Sequence, residues 1–397
     1  MKGEFFSTQF WNETTDEKNG IMKRSTGFPE DLVHWILSGP HFFVGTPLNK
    51  TPRARCTEKG HYDCIDLTNI PETYIPRTNY VPVTDILPNG EEDLGKYYHK
   101  IPRVPWKENG ESEGKPVTKF FRLANRRMVD PSVERSFISA VFPIGVAHID
   151  SVFSTVFKDS LNLCNFAGAS QSIVYDFYLR TTGKSDLRGS TLENFPFIEN
   201  NQPRLLRFLL LNCITKHYEH LWSKLFSSAF IEDSWTSNNP RLNNYHFKNL
   251  SNRWTWETPL RTDFSRRQAL IEVDVLVARD LGMTLEELQT IFRIRFPVMK
   301  KYEKQTYYDQ TGRVVYTISQ GLYGVGFPRK GNKQQGTIGW EDICDMSSGT
   351  VSRTVIDDTL PGGPVEREII YYAPFDRCDR EADYATAWAE FERRESL

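Results

Sequence analysis

The sequence predicts a mixed α+β fold, and three observations carry that prediction. Prolines at 71, 76, 82, 88, 102 and 105 interrupt the first 118 residues, where no long helix fits. Between about 203 and 300, apolar residues return every three or four positions, the period of helices with one buried face. After 300 the pattern changes to an alternating hairpin and then a closing helix. The expected order is a loop-rich β region (1–118), a strand–helix unit (119–202), a central helical block (203–300) and a small C-terminal α/β cap (301–397).

Trp35, Ile36, Leu37, Phe42, Phe43 and Val44 are broken at Gly39-Pro40, which predicts two short strands around a turn. Asn89 to Asp93 reads as a solvated turn and Asn109 to Gly114 as a flexible joint. Two strands are expected after Lys119. The clearer one is Phe137, Ile138, Ala140, Val141 and Phe142, an apolar run closed by Pro143. A helix follows from about Gly168 to Leu179, ending near Gly183, where glycine supplies the left-handed terminating conformation. Pro203 suits the first turn of a helix reaching about Phe230. Another helix is predicted from Arg266 to Leu281, with Ser265 as cap and Gly282 as stop. Thr284 to Glu287 is a capping box, and Pro297 ends the short helix that it opens. Tyr307-Tyr308 and Val314 to Tyr316 are the arms of a hairpin around Thr311-Gly312. Glu381 to Arg394 closes the chain as a helix bearing Tyr384, Trp388 and Phe391.

The formal net charge is −2, but its distribution is uneven. Trp340 to Leu397 holds 14 acidic and 6 basic residues, a net of −8, against 43 basic and 37 acidic before it, a net of +6. Such asymmetry bears on partners rather than on fold. The longest apolar stretch, Leu205 to Ile214, is interrupted by Arg207 and Asn212 and is too short to span a bilayer. The N-terminus has no secretory apolar core, so the expectation is a cytoplasmic chain with no membrane partner. The six cysteines have no framework spacing. Cys56, His61 and Cys64 form one local group, but no second pair completes a zinc tetrad, and no metal is expected. His217 and His220 read as packing or surface residues. Gly324-Val-Gly326 and Phe166 to Ser170 lack the helix-opening context of a cofactor loop, and no catalytic constellation can be assembled from local spacing.

Arg122, Asn125, Arg126, Arg127 and Arg135 lie directly before or within the expected interior strand. Arginine can chelate guanine's major-groove acceptors, and asparagine can do the same with adenine's donor–acceptor pair. Side chains held on a rigid element can also address a fixed pattern of phosphates. The plainer reading is surface charge paired with Asp130 and Glu134. Lys50, Arg53 and Arg55, around Pro52, form a second candidate group for DNA. Lys184 and Arg188, after a glycine turn, form a third. Arg329, Lys330 and Lys333 read as solvated loop charge. Trp254 and Trp256, beside Arg253, read first as core and second as stacking platforms.

The same stretch resembles a known family. Arg122-x-x-Asn125, Glu134 to Ile138, Phe142-Pro143 and Gly145-x-x-His148-Ile149 are similar to the target-recognition region of large DNA adenine methyltransferases. These are the type IIG restriction–modification enzymes and the related methyltransferases of the BREX and DISARM phage-defence systems. The likeness extends through Ser170 to Arg180 and Leu192 to Phe197, and also to Leu37–Gly45, Asn49–Arg53 and Thr258–Tyr308, most of the chain. It implies sequence-specific recognition of double-stranded DNA. The Asn/Asp-Pro-Pro-Tyr/Phe motif that holds a flipped adenine is missing, since Asn238-Asn-Pro-Arg241 lacks the second proline and the aromatic ring. The resemblance therefore implies no cofactor in this chain. S-adenosylmethionine is expected on a catalytic methyltransferase partner or on a missing domain. The rival expectation is a protein-interaction scaffold subunit of a defence complex.

Overall fold

The structure, a computed structural model, describes residues 3–58, 60–88, 92–107, 110–329 and 338–396. Residues 89–91 of the solvated turn expected over Asn89–Asp93, the start of the joint at Asn109, and Lys330 and Lys333 lie outside the described residues, while Glu92–Asp93 is a short strand paired with Asp85–Ile86. With 34% helix and 20% strand in small, mainly antiparallel sheets, the fold is mixed α+β.

The N-terminal part contains β1 (Phe5–Thr8), α1 (Thr15–Lys18), β2 (Met22–Gly27), β3 (Ile36–Leu37), β4 (Lys50–Pro52), β5 (Tyr62–Cys64), β6 (Thr78–Pro82), β7 (Asp85–Ile86), β8 (Glu92–Asp93) and α2 (Gly95–His99). Short elements are what its prolines allow. The middle holds β9 (Arg122–Arg126), β10 (Ser139–Phe142), β11 (Ala147–His148), β12 (Val152–Phe157), α3 (Ser160–Ser170), α4 (Ile173–Thr181) and α5 (Gly189–Leu192). Next come α6 (Gln202–Asn212), α7 (Glu219–Leu225), α8 (Asp263–Asp280), α9 (Leu285–Arg295) and α10 (Pro297–Glu303). The chain ends with β13 (Tyr307–Tyr308), β14 (Val314–Tyr316), β15 (Thr350–Asp357), β16 (Val365–Tyr372), β17 (Asp376–Arg377) and α11 (Arg380–Glu395).

A four-stranded antiparallel sheet, ordered β1-β12-β9-β10, organises the molecule. Side chains alternate across it. Leu123, Val141, Phe153 and Phe157 face a large core shared with α3, α6, α8 and α11. Ala124, Ala140, Phe142 and Val152 face a second core with Trp35, Phe42 and Tyr74 of the N-terminal part. β10 and β12 are therefore buried on both faces. Segments 1–118 and 119–202 share this sheet through β1, and the core runs on to Phe391, so the four expected segments interlock.

Two expected helices are broken. The one expected from Gly168 is two helices, because Ser172 caps a new start by accepting from the Tyr175 amide. The one expected to reach Phe230 stops at Asn212, whose side chain takes up both the N–H (2.8 Å) and the carbonyl (2.9 Å) of Val141 on the outer edge of β10. The strand pair expected between Trp35 and Val44 is β3 followed by a single 3₁₀ turn over Gly39–His41. Thr262, not Ser265, caps α8. The Thr284 capping box is present, and Pro297 opens α10 after α9 has ended. Among the described residues no helix is long and apolar enough to cross a membrane.

Candidate nucleic-acid interface

The arginines of the central stretch do not form a surface. Arg122 and Arg126 are four apart on β9 and share the face that meets the N-terminal part. Arg122 is 2% exposed. Its guanidinium donates to the Val146 carbonyl and to Ser154 Oγ (3.3 Å) and lies 5.1 Å from the Phe10 ring centre. Burial without a carboxylate partner pushes its pKa down to about 10. Arg126 donates to the carbonyls of Gly39 (2.8 Å) and Phe42 (2.7 Å), stitching the 3₁₀ turn to the sheet. Asn125, on the other face, is sealed, and its amide donates to the Arg126 carbonyl at 3.2 Å.

Arg135 donates to Asp176 (2.8 Å) and to the carbonyls of Gln171 (2.7 Å) and Ser172 (3.0 Å), so it joins the β10 approach to the α3–α4 junction. Arg127 pairs with Asp150 at 2.7 Å and more loosely with Asp186 at 3.8 Å. In this structure Arg122, Asn125 and Arg135 are withheld from any duplex, and the donors of Arg126 are used internally. The expectation that they read bases is corrected for a physical reason: an interior strand passing polar loops needs buried cations to satisfy loop carbonyls. Trp254 and Trp256 are likewise spent, their ring N–H groups donating to the carbonyls of Cys213 (2.8 Å) and Ile70 (3.0 Å).

The second and third groups stay at the surface. On the β4–β5 hairpin, Lys50 is half-buried opposite Cys64, Arg55 is exposed, and Arg53 shares Asp63 at 3.0 Å while remaining 42% exposed. Arg24, exposed on β2 beside Lys23, donates to the Cys56 carbonyl (2.9 Å) and so joins this group. The adjacent Lys23-Arg24 pair was the sequence signal for it. Lys184 is exposed, and Arg188 is exposed beside Asp186 at 3.1 Å, on a loop hydrogen-bonded to the end of β9.

Contacts across the sequence extend the hairpin group. The Cys64 thiol lies 3.5 Å from the Gly321 carbonyl and 3.7 Å from that of Tyr323. Burial pushes this thiol up to about 11, so it remains a donor. From there the chain leads to Arg329, which donates to Tyr316 Oη (2.6 Å) and Gln305 Oε1 (3.0 Å) at the end of α10. Lys301 on α10 and Lys304 just beyond its end are exposed, and Arg295 is exposed at the end of α9. Arg180 ties the Arg295 carbonyl to those of Pro131, Val133 and Glu134. Among the described residues Lys50, Arg55, Arg295, Lys301, Lys304 and Arg329 have no carboxylate within ion-pair distance.

No family model and no curated protein matches the chain. What the surface can do must therefore be read from its geometry. Two basic groups, from residues 23–55 and 295–329, lie on segments joined by the Cys64–Gly321 contact. That arrangement suits a long polyanion better than a small anion, which would need its cations converged in a pocket. Among the described residues no group of three or more His, Cys, Asp or Glu side chains could hold a metal. Cys56 lies against the Asn79 amide at 3.4 Å, and Cys64 is committed to the carbonyls named above. Gly324 and Gly326 have positive φ and belong to a turn, and a Cβ at Gly326 would collide with the Val315 carbonyl.

Proposed function

We propose that this chain is the double-stranded DNA recognition module of an adenine-specific DNA methyltransferase in a restriction–modification or phage-defence system. The N-terminal β region with the strand–helix unit forms its target-recognition part, the helical block its support and the C-terminal segment its cap. The catalytic domain and its S-adenosylmethionine sit on another polypeptide or on a portion outside this sequence. The observation that carries the reading is the run of cations without carboxylate partners from Arg24 and Arg55 to Lys304 and Arg329. Lys184 and Arg188 extend the contact toward the end of β9.

Each phosphate contact releases condensed counterions, so affinity falls with salt by a slope of about 0.9 per contact. Duplex binding measured from about 50 to 200 mM salt tests the proposal. Lys301→Ala with Lys304→Ala is expected to weaken binding and flatten the slope by about 1 to 2. Binding that ignores salt, or a slope the double variant leaves unchanged, overturns the assignment of this surface.

The scaffold reading draws on a different feature. The outer face of the β15–β16 hairpin presents Ile356, Ile370 and Tyr372, all more than 40% exposed, beside Glu366 and Glu368. It is acidic and repels phosphate, so its partner is a protein. A tight protein complex formed by a chain that binds no DNA would favour that reading.

A further inference from the structure

The hairpin's thiol and the β15 strand both serve one short loop, Ser319 to Arg329. Leu322 to Val325 is a hydrogen-bonded turn, the Val325 amide donating to the Leu322 carbonyl at 3.0 Å. Tyr323 (φ −56°, ψ 129°) and Gly324 (φ +89°) have the dihedral pattern of the two central residues of a type II turn. Glycine is required at the second place, and the first points its side chain off the corner.

The turn is held on every side. Leu322 and Val325 pack on the main core, and Phe327 is buried in the C-terminal one. Arg353 donates to the carbonyls of Gly324 (2.8 Å) and Gly326, while the Cys64 thiol serves those of Gly321 and Tyr323. Yet Tyr323 itself is 74% exposed and makes no side-chain hydrogen bond among the described residues. A rigid backbone thus presents a free aromatic ring on a turn that is bound to Cys64, the cross-strand partner of Lys50, and that leads on to Arg329 in the chain.

Resting on the DNA-recognition reading above, we propose that Tyr323 is a stacking contact for an unstacked base of the bound duplex. A paired base inside the helix offers no free face, so the ring has a partner only where the helix is opened. Such a site arises beside an extruded nucleotide. Because the turn is ordered before DNA arrives, little freedom is lost when the ring stacks. A tyrosine ring is sequence-tolerant, since every base has a π-face. Tyr323 therefore senses opening of the helix, and the neighbouring cations hold the backbone.

The test compares a fully paired 30-base-pair duplex with the same duplex carrying one extra unpaired adenine, by fluorescence anisotropy across a salt series. The wild-type chain and Tyr323→Phe are expected to prefer the bulged duplex by about tenfold. Tyr323→Ala and Tyr323→Leu are expected to lose that preference while keeping the salt slope. The exposed position predicts an unchanged melting temperature, which a thermal scan of each variant checks. Equal preference in wild type and Tyr323→Ala, with salt-dependent binding intact, overturns the stacking contact and leaves DNA recognition standing. A flattened slope in Tyr323→Ala also overturns it, because the residue then acts through phosphates. No salt-dependent binding of either duplex by the wild type removes both readings.

Discussion

Asp176 shows what the central polar residues do. Its buried carboxylate accepts from Arg135 and Arg180 (2.8 Å each) and from the amides of Ser136 (2.9 Å) and Phe137 (3.1 Å). Asp176→Asn leaves two guanidinium groups without a counter-charge and is expected to cost about 3–5 kcal/mol, read as a shift in the urea midpoint. Arg126→Ala is expected to lower stability by about 1–3 kcal/mol, by stranding two loop carbonyls, with duplex affinity unchanged. A weakened duplex affinity at full stability would return Arg126 to the interface.

The buried histidines give a pH signature. The Ser38 amide donates to Nδ1 of His41 (2.9 Å), so the proton sits on Nε2, which donates to the Arg77 carbonyl at 2.7 Å. Burial pushes His41 down to about 4, and burial together with Arg122 pushes His148 down to about 3. Both folded pKa values lie below the unfolded 6.5, so the unfolded chain binds more protons in that window and stability rises with pH through it. The contribution is complete above 6.5 and is lost as pH falls toward 4. Asp263 opposes this, since burial raises it to about 6 and its effect shrinks stability between its unfolded 3.8 and 6. His217 and His246, lowered by burial, and Asp66 and Glu303, which despite burial are held down to about 2 by neighbouring arginines, act with the two histidines. Glu134 and Asp274, raised by burial, act with Asp263. With the lowered groups in the majority, denaturation midpoints are expected to fall from pH 6.5 to 4. His41→Gln should flatten that fall, and a flat wild-type profile would refute it.

At the scale of elements, α11 is the most consequential. Tyr384, Ala387 and Phe391 belong to the main core, and Arg380 binds Asp274 (3.0 Å) and Glu303 (2.7 Å). Ending the chain at Asp379 is expected to abolish cooperative thermal unfolding. A truncated chain that melts like the full one would make α11 an accessory.

The helix carries its whole signal locally, Tyr384, Trp388 and Phe391 at helical spacing with Asp379 as cap, and so it is legible in the sequence. So are the Thr284 capping box and the β13–β14 hairpin around Gly312 (φ +88°). β12 is not, because burial on both faces erases the alternation that marks a strand. The break after Asn212 is illegible too, its cause being a strand edge 71 residues earlier. β15–β16 does carry a signal, with Val351, Val355, Ile369 and Tyr371 flanking Pro361-Gly-Gly-Pro364, but a strongly acidic setting obscures it. Of the candidate site, exposed lysines and arginines in loops could be read, whereas the burial of Arg122 and Arg135 depends on which distant carbonyls meet them.

Over the whole molecule, charge is distributed unevenly along the sequence. The Cys64 contact links the hairpin that carries Lys50, Arg53 and Arg55 to the loop leading to Arg329, while Glu366 and Glu368 lie on the exposed outer face of β15–β16. On the DNA-recognition reading, such an uneven field orients the duplex before contact, which raises the rate of productive encounter more than the final affinity. The Cys64–Gly321 contact has a further consequence, in time rather than in space. Its two ends are separated by 257 residues, so a ribosome adding about 5–20 residues per second finishes one half of the surface well before the other exists. A chain released before residue 295 carries the cations of residues 23–55 and Lys184 and Arg188 but lacks those of residues 295–329. On the DNA-recognition reading proposed above, full grip on the duplex then waits until the second group of cations has been made.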